Sequence, residues 1–586
     1  MNTPMHRVKY TNITKDQIGQ RLKAAEAGPT SASELSDVLS GKTLRIVTDN
    51  GPALNYQFQS KNRLTLSENN GSKIQAGYGA LTIDQGVIFS HMVPGTQKGY
   101  NVFVDLEKDL VTVIEVWFSS GMKIGTQAEN DIIVEDREVQ REVYFGYLDA
   151  AGKKPPEERH HRTNRMEGSG LHWKQDTGIE TLELYVSVVS VNFIELTRHT
   201  DYLGFCSPSD YVLLKSNLFI HNRSEAEFSG VFTMFVADMF SVTQAGVRLG
   251  FNERDELEYY MFRGNGEIVG RIARLEPFGE HGRDGIAPTA KTQADPVKGQ
   301  RQVYRPARTF RHMTDEQVHE AALKSTRTFE RVSDMSANNL PFTDKLAGKE
   351  FTLRYDRVNP VKHYRFQDMN KLSYREDGET RWQEADYRAY EADRNLFFFA
   401  HFLADSKPRV SLPTVVDFDN GLTTCIHSRM GTPYYGNETT YYPLFGVMEM
   451  KGINPPQYTR HKLTDELTGQ CFSMSWSDTL TSMHLYTSPD TMCWTIFTDD
   501  QTRGSQWSSP CVFIKLRPHV YMLSQNEEAC NGIQMSMVLN RKIMRSCGCE
   551  FSASGARGVE LVAVGGLVRH IGKFNVARFY ELKSTR

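Results

Sequence analysis

The chain has 586 residues, which is too long for one hydrophobic core, so we expect several domains. Its 68 Lys and Arg residues against 71 Asp and Glu give a formal net charge of −3, and this near balance argues against nucleic acid as a partner. No apolar run is long enough to span a bilayer and the amino terminus lacks an apolar stretch, so we expect a soluble cytoplasmic protein with no membrane partner.

The first predicted element is a helix over Gln17 to Ala27, and β-type sequence follows it. Short runs rich in Val, Ile, Phe, Tyr and Thr alternate with turn residues, as in Tyr100–Asp105 and Leu110–Phe118 on either side of the turn Glu107–Asp109. A further run covers Thr181 to Phe193. This pattern predicts an antiparallel meander.

An internal repeat organises the chain. The stretch Leu39–Asp49 resembles Leu346–Asp356 at an offset of 307 residues. Later matches pair Tyr56 with Tyr364, Tyr78 with Tyr387, Asp84 with Asp393, Asp105 with Asp417, and Arg159-His160 with Arg460-His461. A second helix is predicted over Gln317 to Arg331, and the turn Asp419-Asn-Gly421 predicts a hairpin. The chain is therefore an internal duplication, and its repeat of about 300 residues is longer than a single β-barrel domain.

The predicted fold is all-β, with tandem antiparallel β-barrels, two per half, and a short helix leading each half. Closing the meanders into barrels hides their edges, although β-sandwiches are the alternative. An eight-stranded barrel has room for one small ligand. The predicted segments are a helical lead-in over 1–35, barrels over 36–150 and 151–275, a linker and helix over 276–335, and barrels over 336–452 and 453–586.

Several strand motifs resemble the MoaF-like family. They are Thr464-Asp-Glu-Leu-Thr-Gly469, Trp476, Trp494, Val512–Lys515 and Val520–Glu527, whereas the first half has Thr163–Gly168 in place of the Leu-Thr-Gly stretch. The resemblance implies calycin, lipocalin-like barrels, with N-terminal-type domains over 36–150 and 336–452 and C-terminal-type domains over 151–275 and 453–586. The family name refers to molybdenum cofactor biosynthesis, and the calycin superfamily includes lipid and pigment binders and cofactor-free phenolic acid decarboxylases. The fold alone does not decide among these functions.

Motifs for nucleotide binding and zinc hydrolysis are absent, so no cofactor is expected. The eight cysteines contain no C-x-x-C pair, and Cys547 and Cys549 lack a second cluster, which favours reduced, buried thiols. His160-His161 and Arg460-His461 have no ligand partner at metal spacing. We interpret them as solvated basic loops, and we expect no metal site.

The candidate catalytic residues are His401, Tyr387, Tyr364 and His91. His91 and His401 stand at matched positions among apolar residues of strand periodicity, so each imidazole should share an apolar face. If that face lines a cavity, His401 is a candidate general acid or base. The alternative is a core histidine bonded to the backbone, and the tyrosines have a similar alternative in structural packing.

The candidate substrate-binding residues are Arg388, Trp382, Phe399, Trp494, Lys515, Tyr521 and Glu527. Arg388 with Trp382 would suit a carboxylate, but strand alternation allows only one of Arg388 and Tyr387 to face inward. In the repeat, Lys215 occupies the position that matches Lys515, and either lysine could polarise a carbonyl if it is buried. Exposure at strand ends is the alternative for these lysines.

These features favour a cofactor-independent enzyme, of the lyase, isomerase or decarboxylase type, that acts on a small apolar or aromatic molecule inside a barrel of the second half. The alternatives are a non-catalytic small-molecule binding or carrier protein and a role in molybdenum cofactor handling, which rests on the family name. A homo-oligomer is compatible with the sequence. Titratable groups that converge in one interior, with pKa values pushed apart, would favour the enzyme.

Overall fold

A computed structural model describes residues 15–118, 139–150, 152–187, 190–197, 204–225, 230–252, 254–273, 305–306, 320–324, 326–356, 361–407, 409–430, 439–498, 505–527, 532–554 and 558–581. The chain forms two compact units, and the described residues up to 273 belong to the first unit, those from 305 to the second. Strands dominate the regular structure of the described residues and the helices there are short, which confirms the all-β prediction.

The first unit begins with helix α1 (Lys15–Leu22) and a 3-10 helix (Lys23–Ala27), where a helix was predicted. After β1 (Thr30–Ser31), barrel 1 consists of β2 (Thr43–Thr48), β3 (Ala53–Ser60), β4 (Arg63–Glu68), β5 (Ile74–Ile83), β6 (Gly86–Met92), β7 (Lys98–Asp105), β8 (Leu110–Phe118) and β9 (Val139–Leu148). Neighbouring strands are antiparallel, and β9 pairs with β2 to close the barrel.

Barrel 2 of the first unit contains β10 (His161–Arg162), β11 (Ser169–Gln175), β12 (Glu180–Leu184), β13 (Ser190–Glu195), β14 (Gly204–Pro208), β15 (Tyr211–Leu213), β16 (Leu218–Glu225), β17 (Val231–Asp238), β18 (Thr243–Phe251) and β19 (Leu257–Ile272). β14 pairs with β13 and β15 pairs with β16, so these two short strands occupy one position in the barrel wall. Pairing of β11 with β19 joins the two ends of the sheet.

The second unit opens with β20 (Arg305–Pro306), a helical turn over 320–323 and β21 (Thr326–Thr328). The helix predicted to continue to Arg331 is therefore wrong beyond residue 323. β21 pairs in parallel with a distant strand, Thr326 lying opposite Val559, so tertiary pairing overrides the helical sequence pattern there.

Barrel 3 consists of β22 (Glu350–Tyr355), β23 (Lys362–Phe366), β24 (Lys371–Glu376), β25 (Gln383–Asp386), β26 (Arg388–Asp393), β27 (Leu396–Ala400), β28 (Val410–Ser411), β29 (Thr414–Asp417), β30 (Leu422–Met430) and β31 (Thr439–Glu449). It is nearly closed. β25 pairs with β24 and β26 pairs with β27, and Tyr387 alone separates β25 from β26. The predicted hairpin is present between β29 and β30, where Gly421 has a φ of +63°.

Barrel 4 contains β32 (Lys462–Leu463), β33 (Gln470–Ser475), β34 (Thr481–Ser488), β35 (Thr491–Thr498), β36 (Ser505–Arg517), β37 (Val520–Asn526), β38 (Ile533–Asn540), β39 (Arg545–Ser554), β40 (Gly558–Val564) and β41 (Leu567–Phe574), and a short helix, α2 (Arg578–Glu581), follows. β33 pairs with β41, as β11 pairs with β19 in barrel 2. The barrels therefore suggest a duplicated domain, as the sequence repeat predicted.

Each barrel buries residues on both sides of its wall. In barrel 1, the inward residues of β3, Leu54, Tyr56 and Phe58, belong to a core inside the barrel. Outward residues such as Ile88 and Phe103 pack instead against barrel 2 of the same unit. This double burial explains why the strands are apolar without strict alternation.

The described part of the chain contains no helix that is long and apolar enough to cross a membrane. The seven cysteines in the described ranges are all buried, as predicted, and Cys530 lies outside these ranges.

Candidate functional site

Barrels 1 and 3 each hold a buried tyrosine–histidine pair. Strand alternation turns Tyr364 of β23 into barrel 3, where its hydroxyl lies 3.1 Å from Nε2 of His401, the residue after β27. In barrel 1 the matched residues Tyr56 and His91 are 3.0 Å apart between the same atoms. All four side chains are at most 1% exposed, so the pairs lie inside the barrels.

The backbone defines how each pair is protonated. Nδ1 of His401 lies 2.8 Å from the carbonyl of Phe402, to which it can only donate, so Nε2 accepts the hydrogen bond from the Tyr364 hydroxyl. Burial lowers the pKa of His401 to about 4 and raises the pKa of Tyr364 well above its ordinary value. Both groups are therefore neutral near pH 7, with pKa values pushed apart.

An ammonium–carboxylate pair accompanies the tyrosine–histidine pair in both barrels. In barrel 3, Lys362 forms an ion pair with Glu376, and the lysine side chain is only 7% exposed. In barrel 1, Lys98 lies 2.8 Å from Glu68 and 3.3 Å from Glu115. The Lys98 side chain is 29% exposed, whereas Lys362 is buried. Burying a lysine is costly, so the position of Lys362 calls for a reason beyond packing.

Lys98 and Lys362 lie on strands that do not correspond in the two barrels, whereas Glu68 and Glu376 occupy equivalent positions. Glu68 lies opposite Leu54 across β3 and β4, and Glu376 lies opposite Lys362 across β23 and β24. Lys362 thus stands where barrel 1 has Leu54, whereas Lys98 belongs to β7. Each barrel thus has a Lys–Glu pair near its Tyr–His pair, although the lysine is contributed by a different strand.

Further titratable groups of barrel 3 lie near the Lys362 ammonium. Burial is the largest cause of the pKa changes of His401, His427 and Cys425, and the positive charge of Lys362 acts on all three. Burial raises the pKa of Cys425 to about 11. The ring of Tyr374 lies 5.0 Å from that of His401. Barrel 3 therefore gathers acid–base groups from β23, β24, β27 and β30.

Tyr387 and Phe399 also face the interior of barrel 3, but neither bonds to His401. The Tyr387 hydroxyl donates to the carbonyl of Asp368 at 2.7 Å, and Phe399 packs edge-on against Tyr364 at 5.6 Å between ring centroids. The structure therefore places these two residues in the aromatic packing around the pair.

Arg388 and Trp382 lie apart from this interior. Tyr387 is the inward residue, and Arg388 donates to the Tyr387 carbonyl while its guanidinium lies over the ring of Phe342. Trp382 packs between two arginines, with the Arg365 guanidinium 4.1 Å from its ring centroid.

The predicted residues of barrel 4 fall into separate places. Lys515 and Tyr521 both contact Glu466, Tyr521 through a 2.9 Å hydrogen bond, at one end of β37. Glu527 follows the other end of β37, six residues on, which is about 20 Å along a strand. Trp494 lies on β35 opposite His484.

Sequence reasoning missed Lys362, Glu376 and His427. The signal was available for Lys362, because it stands two residues before Tyr364 and so shares its face of the strand. The carboxylate on the neighbouring strand depends on register, which no local pattern reveals.

The supposed basic loops are buried instead. His160 and His461 are 1% and 3% exposed, with Nδ1 2.9 Å from Thr112 Oγ1 and 2.8 Å from Thr424 Oγ1 respectively. Each sits where the second barrel of its unit follows the first, and the interpretation as solvated loops was wrong.

The match of Lys215 with Lys515 was also wrong. Lys215 lies 3.5 Å from Asp84 and 3.5 Å from Asp105. The residue in the same place in the second unit is Arg517, which contacts the matched Asp393 and Asp417. Both cations join the two barrels of their unit, and each contacts a fully buried aspartate, Asp105 or Asp417, so they are structural.

No group of three or more His, Cys, Asp and Glu side chains that could hold a metal ion occurs in the described ranges.

These features define a duplicated all-β barrel protein with paired acid–base groups inside its first and third barrels. Residues 328–432 and 456–550 match the model of the MoaF N-terminal domain, and they cover most of barrels 3 and 4. The second unit is therefore similar to the MoaF N-terminal domain, in agreement with the resemblance seen in the sequence. A comparison with curated proteins gave no match.

Proposed function

We propose that the protein is a cofactor-independent enzyme that transfers protons on a small apolar or aromatic molecule inside barrel 3, by a lyase, isomerase or decarboxylase reaction. The proposal includes a calycin-like arrangement of the tandem barrels and a cytoplasmic location. The observation that supports it most is that barrels 1 and 3 each contain a Tyr–His pair beside a Lys–Glu pair. The lysine comes from a different strand in each barrel.

This recurrence favours chemistry over packing. An inherited core would keep its lysine on one strand or replace it by an apolar residue, because a buried ion pair is weak evidence for stability. Two copies that differ in the source of the ammonium but keep it beside the same rings point to a role for the charge. Convergent groups with separated pKa values are typical of acid–base sites.

The hydrogen-bond directions suggest how the groups would act. The Tyr364 oxygen takes a proton from the substrate while its own proton passes to Nε2 of His401, and the Phe402 carbonyl holds the resulting imidazolium in place. Lys362 stabilises the negative charge left on the substrate. With a pKa of about 4 for His401, protonating it at pH 7 costs about 4 kcal/mol, a modest part of an enzymatic barrier.

The second candidate function is a non-catalytic small-molecule carrier. It is supported by the fact that both ring nitrogens of His401 already have partners within the protein, Tyr364 and Phe402. In a carrier, Tyr364 and His401 would only line the interior of barrel 3.

Proton transfer can be tested without knowing the natural substrate. The full-length protein is incubated in D₂O with small phenolic acids, terpenoid acids and aromatic ketones, and deuterium incorporation and product formation are followed by NMR and mass spectrometry. We expect turnover of at least one compound by the wild type and a loss of about 10²–10⁴-fold in Tyr364→Phe and His401→Gln.

Tyr387→Phe is the matched control, because it removes a phenol from the same barrel that bonds only to a backbone carbonyl. It should keep near wild-type turnover. Lys362→Met should reduce turnover without abolishing binding, which native mass spectrometry measures. Compounds that are retained unchanged by the wild type and by all variants would instead support the carrier.

A further inference from the structure

The interior of barrel 4 contains buried polar atoms without a hydrogen-bond partner among the described residues. They are Nδ1 of His484, the hydroxyl of Tyr486, Oε1 of Gln525 and Nε1 of Trp494. The first three side chains are 4%, 0% and 4% exposed. Such atoms are costly in a dry core and call for a ligand or ordered water.

Barrel 2 shows where these side chains point. The amide of Gly168 donates to the carbonyl of Tyr185, and the amide of Gly469 donates to that of Tyr486, so the two tyrosines are equivalent. Two residues earlier on each strand, Glu183 is then equivalent to His484. The pairing with the next strand supports this equivalence. Glu183 lies opposite the aromatic Phe193 in barrel 2, and His484 lies opposite the aromatic Trp494 in barrel 4.

Arg223 of barrel 2 is equivalent to Gln525 of barrel 4. The amides of Thr163 and Thr464 donate to the carbonyls of Tyr211 and Phe513, which makes the latter two equivalent. On the next strand of barrel 2, Tyr211 lies opposite His221, and Arg223 follows two residues later. On the next strand of barrel 4, Phe513 lies opposite Leu523, and Gln525 follows two residues later.

In barrel 2 these positions are joined by an ion pair. Arg223 Nη1 lies 2.6 Å from Glu183 Oε1, and the Tyr185 hydroxyl donates to the same carboxylate at 3.1 Å. Arg223 and Arg248 also share Glu225, at 2.7 Å and 2.6 Å. Side chains from β12, β16 and β18 thus meet inside barrel 2 and satisfy one another.

Barrel 4 has His484 and Gln525 at the positions of Glu183 and Arg223, and no hydrogen bond joins these two side chains. The equivalent of Arg248 is Glu550, and burial raises the pKa of its carboxyl group. Burial lowers the pKa of His484 to about 3, so it is uncharged near pH 7. The surrounding wall is apolar, with Phe472, Met474, Met492 and Met537 in the same core. An anionic ligand would find no counter-ion among His484, Tyr486 and Gln525.

We propose that barrel 4 is a second binding site, distinct from barrel 3, for an uncharged planar ring compound that both donates and accepts hydrogen bonds. His484, Tyr486, Trp494 and Gln525 bind its polar edge, and the methionine and phenylalanine side chains contact its faces. Barrel 2, whose equivalent positions are closed by the Glu183–Arg223 ion pair, does not bind it.

The test uses 2-naphthol as the neutral probe and 2-naphthoate as its anionic counterpart, with the full-length protein in isothermal titration calorimetry at pH 7. We expect 2-naphthol to bind with a Kd below about 1 mM and 2-naphthoate to bind at least about tenfold more weakly. Tyr486→Phe should weaken 2-naphthol binding about fivefold through loss of one hydrogen bond. The matched change in barrel 2, Tyr185→Phe, should leave it unchanged.

A double variant tests the comparison between barrels directly. His484→Glu with Gln525→Arg recreates the ion pair of barrel 2 and should weaken 2-naphthol binding at least about tenfold. If this variant does not fold, the Tyr486→Phe and Tyr185→Phe pair decides alone. Absence of 2-naphthol binding, equal binding of the two probes, or an affinity unchanged by Tyr486→Phe would overturn the proposal. None of these outcomes bears on proton transfer in barrel 3.

Discussion

Replacing His401 by glutamine should make the stability of the protein less sensitive to acid. The glutamine amide can accept the hydrogen bond of Tyr364 and donate to the Phe402 carbonyl, so it can preserve the local bonding. Glutamine does not titrate. The variant therefore removes one buried titratable group and leaves the barrel wall as it is.

The magnitude follows from the pKa of His401, which burial lowers from 6.5 to about 4. As the pH falls through 6.5, the unfolded chain binds a proton that the folded protein binds only near pH 4. The folded state therefore loses about 1.4 kcal/mol per pH unit in this window, about 3 kcal/mol in all, and nothing further below pH 4. His401 is 0% exposed, so no discount for solvent screening applies.

Urea unfolding of the full-length protein, followed by tryptophan fluorescence at several pH values between about 7 and 4, measures this effect. Relative to the wild type, His401→Gln should gain about 3 kcal/mol in free energy of unfolding between the two ends of the range. Tyr387→Phe, which removes no group that titrates in this range, should differ from the wild type by a constant amount. If the free energies of unfolding of the wild type and His401→Gln differ by the same amount at every pH, the lowered pKa assigned to His401 is refuted.

Three further changes can be measured by the same urea method. Tyr364→Phe should cost about 1–3 kcal/mol, because it leaves Nε2 of His401 buried without a donor; a loss below the error of the method would contradict the hydrogen bond. Arg517→Met should cost about 3–5 kcal/mol by leaving Asp417 buried and unpaired, whereas Arg517→Lys should cost less, since a lysine fills this place in the first unit. Arg223→Met should destabilise by a similar amount, and adding Glu183→Met should recover much of the loss; additive effects in that double-mutant cycle would argue against the ion pair.

The sequence alone determined the duplication, the all-β fold and the inward position of His91 and His401. These inferences succeeded because they rest on local periodicity, which places alternate residues on one face of a strand, and on the comparison of two copies in one chain. The match of Tyr56 with Tyr364 depended on the same two signals, but the hydrogen bond of each tyrosine to its histidine was seen only in the structure.

The tertiary structure alone decided which groups meet. The partner of Lys362 is set by the register between β23 and β24, and the position of Trp382 outside the barrel is set by its packing between arginines. The burial of His461 depends on the packing of one barrel against the next. Register and barrel packing join residues distant in sequence through backbone hydrogen bonds and buried area, so no local pattern of side chains encodes them.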